Sequence, residues 1–242
     1  MRIAVFSDIH GNLHALEAVL QAIDDERPDV LWCLGDIVGY GPRPNECCEL
    51  VRERADLCLV GNHDLVATGA LGVGEFNEDA AAAAIWTTGV LTPESRDYLD
   101  SLKPLAKAEG LELFHASARD PVWEYVLTEE AARATLELTE APVVLVGHSH
   151  VALGLTIEEG DVNGGLAPGG TEIVLFEGRW LLNPGSVGQP RDGDARAAYL
   201  LLQPDDGLAT FRRVEYPIEQ TQAEIREHGL PESLATRLAR GE

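Results

Sequence analysis

Five short apolar runs in this chain end in residues of the same chemical kind, and that recurrence limits the fold more than any other feature. Ile3 to Phe6 runs into Asp8-Ile9-His10, and Val30 to Leu34 into Gly35-Asp36. Leu57 to Val60 leads to Gly61-Asn62-His63-Asp64, Leu111 to Phe114 to His115, and Val143 to Val146 to Gly147-His148-Ser149-His150. Helical periodicity separates the early runs: Leu13, Leu16, Val19, Leu20 and Ile23 recur at helix spacing behind a capping Asn12, and Pro44-Asn45 opens a second helix. Strands that alternate with helices are joined by crossovers and lie parallel, so their carboxyl ends gather at one sheet edge. That edge is where open α/β sheets bind ligands. The pattern therefore predicts an α/β fold in which residues far apart in sequence converge.

Residues 65–104 are rich in alanine, with Thr92-Pro93-Glu94 as a helix start, and read as an inserted helical cap. Beyond them a helix near Thr128 to Leu138 is expected. Hairpin-like strands follow at Leu153 to Ile157, Ile173 to Phe176, Trp180 to Leu182, Ala198 to Gln203 and Ala209 to Val214, with two short helices at Ile218 to Glu227 and Pro231 to Ala239. The glycine-rich stretch from Gly160 to Gly170 reads as a flexible loop. With no internal repeat and no low-complexity linker, residues 1–242 count as a single domain.

Composition narrows function by exclusion. Asp and Glu number 41 against 18 Lys and Arg, a formal charge of −23 that repels nucleic-acid backbone and anionic lipid. No apolar stretch approaches the length of a membrane span, and the amino terminus has no signal-peptide pattern. Cys33, Cys47, Cys48 and Cys58 have no C-x-x-C spacing, which fits a reducing compartment, and a cytoplasmic location is expected. The only lysines, Lys103 and Lys107, do not follow glycine, so a Walker A loop is ruled out; G-x-G-x-x-G is also absent. Gly147-His148-Ser149-His150-Val151 has Val where a serine-hydrolase elbow needs its second glycine.

The strand-end set, which includes five of the seven histidines, offers two carboxylates, one Asn and four or five imidazoles, with no thiolate; with four imidazoles it supplies seven ligands. Such a set suits Mn²⁺, Fe, Co²⁺, Ni²⁺ or Zn²⁺ better than Ca²⁺ or a structural zinc site. Seven ligands exceed the needs of one ion; shared between two, they leave positions open for water. Four positive charges against two carboxylates would attract a phosphate within an otherwise acidic protein.

The ordered blocks D-x-H, G-D, G-N-H-D, H and G-H-x-H resemble the calcineurin-like metallophosphoesterase family. The flanking residues 7–12, 35–42 and 183–191 are similar to its prokaryotic diadenosine-tetraphosphatase-like or serine/threonine-phosphatase-like branch, so the resemblance runs from residue 3 to about 200. It implies a four-layer α/β/β/α sandwich, two mixed β-sheets flanked by helices. It implies one divalent ion on Asp8, His10, Asp36 and His150, and another on Asp36, Asn62, His115 and His148, with Mn²⁺ as the first expectation. It further implies a hydroxide bridging the ions as nucleophile, His63 protonating the leaving oxygen, and Asp64 orienting His63. Asn62, His63 and Arg191 would face the substrate phosphate. One departure stands out: where relatives carry arginine after G-D, this chain reads Ile37-Val38-Gly39-Tyr40, which leaves Arg191 as the best substitute. The expected substrate is a small phosphorylated molecule, a nucleotide among the candidates. A non-catalytic protein-interaction module on the same fold is the alternative, although such scaffolds lose ligands and this chain has kept them all. Tyr40, Trp86 and Trp123 are candidates to line a pocket beneath the cap.

Overall fold

Ile3, Ala4, Val5 and Phe6 are all fully buried, and a strand with no exposed residue needs neighbours on both edges and layers on both faces. The computed structural model, which describes residues 1–158 and 160–242, supplies them. The first half alternates as the periodicity predicts: β1 (Ile3–Phe6), α1 (Leu13–Glu26), β2 (Val30–Cys33), α2 (Pro44–Arg54) and β3 (Leu57–Cys58). Asn12 caps α1, its side-chain oxygen accepting from the Ala15 N–H at 3.2 Å. The helix buries Leu16, Val19, Leu20 and Ile23, the stripe read from sequence.

Over the region read as helical, 65–104, and just before it lie α3 (Asn62–Thr68), a short 3₁₀ turn at Val73–Glu75, α4 (Glu78–Val90) and α5 (Pro93–Ser101). Thr92 caps α5 by accepting from the Ser95 N–H at 3.2 Å. Then come β4 (Leu105–Ala108), β5 (Leu111–Phe114), α6 (Glu129–Glu137) and β6 (Val143–Val146). The strand-rich tail is β7 (Leu153–Glu158), β8 (Asp161–Leu166), β9 (Glu172–Val174), β10 (Trp180–Asn183), β11 (Ala197–Gln203) and β12 (Leu208–Val214). Two helices, α7 (Ile218–Glu227) and α8 (Glu232–Thr236), and a 3₁₀ turn at Arg237–Arg240 close the chain.

These strands form two mixed six-stranded sheets, ordered β3-β2-β1-β11-β12-β9 and β4-β5-β6-β10-β7-β8. Strands β1, β2 and β3 are parallel, as are β5, β6 and β10; the remaining pairs are antiparallel. Between the sheets lie Ile3, Val5 and Leu34 from the first and Leu113, Leu145 and Leu182 from the second. Phe6, Leu16, Cys33 and Cys47 pack the outer face of the first sheet against helices, while Leu136 of α6 covers Val144 and Val146 of the second. Each such side chain contributes about 1.5–3 kcal/mol by leaving water. The result is the four-layer sandwich, helices outside and two sheets within.

One expectation needs correction. Residues 160–170 are not simply a loop: Asp161–Leu166 pairs with β7 from Glu158↔Asp161 to Leu153↔Leu166. A ladder needs only backbone groups, so Gly164 and Gly165 can occupy it while giving no side-chain alternation to read. Strand β4 likewise has no clear sequence signature, since its Leu, Ala and Lys residues lie half exposed on an edge. All four cysteines are free thiols. Among the described residues no helix is long and apolar enough to cross a membrane.

Candidate metal centre

The carboxyl ends of β1, β2 and β3 deliver Asp8, His10, Asp36 and Asn62, and those of β5 and β6 deliver His115, His148 and His150. All seven are at most 3% exposed. Their backbones are unusual. Among the described residues eight non-glycine residues have positive φ, and five of them are Asp8 (56°), His10 (50°), Asp36 (53°), His148 (62°) and His150 (59°). A side chain in the left-handed region costs about 1–2 kcal/mol, and such residues gather where a site dictates direction. Here the sharp turns at the ends of β1, β2 and β6 aim these side chains back toward their neighbours.

Two ligand sets result. Donor atoms of Asp8, His10, Asp36 and His150 lie within 4.8 Å of one another, and so do those of Asp36, His115 and His148. Asp36 belongs to both, with Oδ2 at 3.6 Å from Nε2 of His10 and 3.6 Å from Nε2 of His115. The Asn62 side-chain oxygen is 3.3 Å from Nε2 of His115, on the second set's side.

Outer contacts define the imidazoles. Nδ1 of His10 faces the Val38 carbonyl at 3.1 Å, Nδ1 of His115 the Leu34 carbonyl at 2.8 Å, and Nδ1 of His150 the Gln189 carbonyl at 2.7 Å. A carbonyl only accepts, so each Nδ1 carries the proton and each Nε2 presents a lone pair inward, as metal-bound histidines do. His148 is reversed: its Nε2 donates to the Trp123 carbonyl at 3.1 Å, which leaves Nδ1 free.

This donor set fits cations. Nε2 of His10 and Nε2 of His150 stand 3.0 Å apart, and with both Nδ1 protons committed they are two acceptors without a proton between them. Oδ2 of Asp36 is buried with no hydrogen-bond partner. Burial, the largest influence, raises the Asp8 carboxyl to about 7 and the Asp36 carboxyl well above the usual range. Burial likewise drives His10, His148 and His150 well below the ordinary histidine range, keeping them neutral. Neutral imidazoles and carboxylates awaiting a positive neighbour are the donors that Mn²⁺, Fe, Co²⁺, Ni²⁺ and Zn²⁺ accept.

His63 sits beside these sets rather than within them. Its ring meets His10 edge-on at 4.8 Å, Tyr40 at 4.3 Å and, stacked, Phe76 at 4.3 Å. Its Nδ1 is buried without a partner and packs close to Gly39, where a β-carbon would sit 2.5 Å from that nitrogen. Asp64, expected to orient His63, makes no hydrogen bond to its ring. The Asp64 carboxylate instead accepts from the Val38 and Gly61 N–H groups, each at 3.0 Å, because as the third residue of α3 it caps that helix. It positions His63 through the backbone. Burial holds the Asp64 carboxyl at about 6 and keeps the His63 imidazole below its ordinary range.

A cavity of about 500 Å³ opens over Asn62 and His63, walled by Tyr40, Phe76, Trp123 and Tyr125, with Glu75 and Asp120 as its charged residues. Tyr125 stacks on His148 at 4.0 Å. Trp86 does not take part; its ring packs against His228 at 5.3 Å. Phe76 and Tyr125 were not singled out from sequence, because a lone aromatic in a loop carries no periodicity. Arg191 reaches toward the centre: its guanidinium donates to Gln189 Oε1 at 2.9 Å and lies 5.8 Å from the Tyr40 ring centre. Arg43 is occupied elsewhere, by Glu46 at 2.6 Å and Glu224 at 3.2 Å. The turn at residues 183–188 proves to be a brace. Asn183 donates to the Gly147 carbonyl at 2.7 Å, and the Ser186 hydroxyl to the Asp8 carbonyl at 2.7 Å, joining ligand loops from both sheets.

Comparison with known proteins agrees with this geometry. The family model described as the calcineurin-like phosphoesterase superfamily domain matches residues 1–207. A crystal structure of a metallophosphoesterase from Sphaerobacter thermophilus superposes with a TM-score of 0.91 at 46% identity, covering 100% of this chain and 99% of that one. An uncharacterized protein of Methanocaldococcus jannaschii is 40% identical over 245 residues, spanning 99% of this chain and 98% of the relative. A symmetrical bis(5'-nucleosyl)-tetraphosphatase of Aliivibrio salmonicida is 30% identical over 135 residues, a match spanning 52% of this chain and 48% of that enzyme.

Proposed function

Because this chain belongs to the calcineurin-like phosphoesterase superfamily, we propose that it hydrolyses a small phosphate ester, a nucleotide by preference, at a centre of two divalent cations. The observation that carries this reading is Asp36, a single buried carboxylate common to two groups of candidate ligands beside an open cavity. Asp8, His10, Asp36 and His150 would hold one cation and Asp36, Asn62, His115 and His148 the other, Mn²⁺ being the first to try. When bound, two such cations supply an activated water near neutral pH and polarise the phosphoryl oxygens.

The protein's own groups do the rest. His63, stacked under Phe76 and at the cavity floor, presents its N–H to the departing ester oxygen, and the negative charge of a bound phosphate counters the burial that otherwise keeps the ring neutral, so that it can give up a proton there. Asp64 fixes the start of α3 so that the imidazole cannot swing away. Arg191 draws in the phosphate, and the aromatic walls of a cavity near 500 Å³ accept the esterified group, a size suited to a nucleoside. Relatives named symmetrical bis(5'-nucleosyl)-tetraphosphatase support a nucleotide substrate. Four free cysteines suit action in the cytoplasm.

Hydrolysis of bis-p-nitrophenyl phosphate and p-nitrophenyl phosphate by metal-stripped protein with Mn²⁺ restored tests the reading. Mn²⁺-dependent release that disappears in Asp36→Ala is expected, and the ratio of rates separates diesterase from monoesterase. Absence of release with Mn²⁺, Ni²⁺, Co²⁺ and Fe²⁺, despite measured metal binding, would overturn it.

A further inference from the structure

Gln189 links the metal centre to two arginines, only one of which the sequence motifs pointed to. Its backbone carbonyl accepts from Nδ1 of His150 at 2.7 Å, and its Oε1 accepts from Arg191 at 2.9 Å and from Arg237 at 3.3 Å. Arg237 lies in the carboxyl-terminal 3₁₀ turn, beyond the residues matched by the family model. Neither arginine has a carboxylate within ion-pair distance among the described residues. Two guanidinium groups thus converge on one neutral amide oxygen in a protein of charge −23. The acids that influence Arg237, Asp79 and Glu242, have partners of their own: Asp79 accepts from Ser233 at 2.5 Å and Glu242 from Arg240 at 3.3 Å. Burial and the neighbouring Arg191 both work against the charge on Arg237. Such a pair is costly until an anion lies between its members.

Resting on the phosphoesterase reading above, we propose that Arg191 and Arg237, aligned by Gln189, form a subsite for a second phosphate linked to the one at the metal centre. The substrate class is then a nucleotide bearing at least two linked phosphates. Direction follows from charge. The aromatic cavity has only Glu75 and Asp120 as charged lining and repels a further phosphate, so the phosphate chain leaves on the arginine side. Arg237 also borders a second cavity, whose other charged residues are Glu78, Asp79, Glu242 and Arg240; three acids against one further arginine make it unfavourable for extending the phosphate chain.

Calorimetry with full-length, Mn²⁺-loaded protein and matched free Mn²⁺ in cell and syringe tests this, using orthophosphate and methylene diphosphonate as probes. The unsubstituted protein is expected to bind the diphosphonate at least about tenfold more tightly, the scale of one charged hydrogen bond. Arg237→Ala should reduce that preference below about threefold and Arg237→Lys restore part of it, while Arg226→Ala, which removes a distant positive charge, leaves it intact. A preference that survives Arg237→Ala in folded protein, or equal weakening of both anions, overturns the subsite. Turnover of bis-p-nitrophenyl phosphate, measured alongside, separates the two readings. Turnover without a diphosphonate preference overturns the subsite alone; an Arg237-dependent preference without turnover supports the subsite and overturns the esterase reading.

Discussion

The backbone N–H of His63 donates to Oδ1 of Asp36 at 2.9 Å, while Oδ2 of the same carboxylate faces His10 and His115 at 3.6 Å each. One oxygen anchors the helix that carries the proposed proton donor, and the other is left for cations. The two residues should therefore fail in different ways when replaced.

His63→Ala should retain two ions per chain, because its ring lies outside both ligand sets, while kcat falls about 10²- to 10⁴-fold. Metal content by mass spectrometry beside turnover checks this. Loss of both ions in that variant would make His63 a ligand.

Asp36→Ala should empty both sites and also release the amino end of α3. A variant that still carries two ions at micromolar metal would remove Asp36 from the bridging position.

Metal affinity should climb as pH rises from 6 to 8. Asp8, raised to about 7, and Asp36, raised well above the usual carboxylate range, hold protons that a cation must displace, whereas His10, His148 and His150 are already neutral. Each displaced proton makes apparent affinity change up to about tenfold per pH unit below the relevant pKa. Titration calorimetry in buffers of different ionisation heat should find proton release at pH 6 that declines toward pH 8. Affinity that falls over this interval would contradict the assignment.

Phe76→Ala removes the stacked partner of His63 and one wall of the cavity. An aromatic pair contributes about 0.5–1.5 kcal/mol beyond burial, so kcat/KM for an aryl ester should drop about two- to tenfold with metal content unchanged. Steady-state kinetics on both p-nitrophenyl esters would show it.

Gly61→Ala should damage the centre without straining the backbone. The φ at Gly61 is −102°, open to any residue, yet a β-carbon there would overlap Oδ1 of Asp36. Overpacking costs about 1–3 kcal/mol, and each kcal/mol is about 2–4 °C of Tm for a chain this long. Thermal melting with and without Mn²⁺ should reveal a lower Tm and a smaller metal-induced rise.

Much of this was legible because strand ends and ligand types coincide in sequence: Asp8, Asp36 and His115 each follow a buried apolar run closely enough to be located without coordinates. What stayed hidden lacks a local signature. The glycine-rich β8 shows no alternation, so its pairing with β7 depends on a partner the sequence does not name. Phe76 and Tyr125 act only where loops meet, and the Asp64 carboxylate serves Gly61 and Val38 rather than its neighbour's ring, a choice set by how α3 begins. Arg237 is the furthest case. It lies at a distant terminus and comes near Gln189 only because α7 and α8 pack against Tyr40 and α4.

The candidate ligands come from both halves of the sandwich, four from the loops of the first sheet and three from those of the second. Cations bound there would act as rivets at one end of an interface that is otherwise greased by leucine, isoleucine and valine. Chelation would then do more than silence chemistry: it would leave that end of the two sheets held only by hydrogen bonds such as those of Asn183, Ser186 and His148, so that the same handful of side chains would govern both the protein's mechanical integrity and its catalytic readiness.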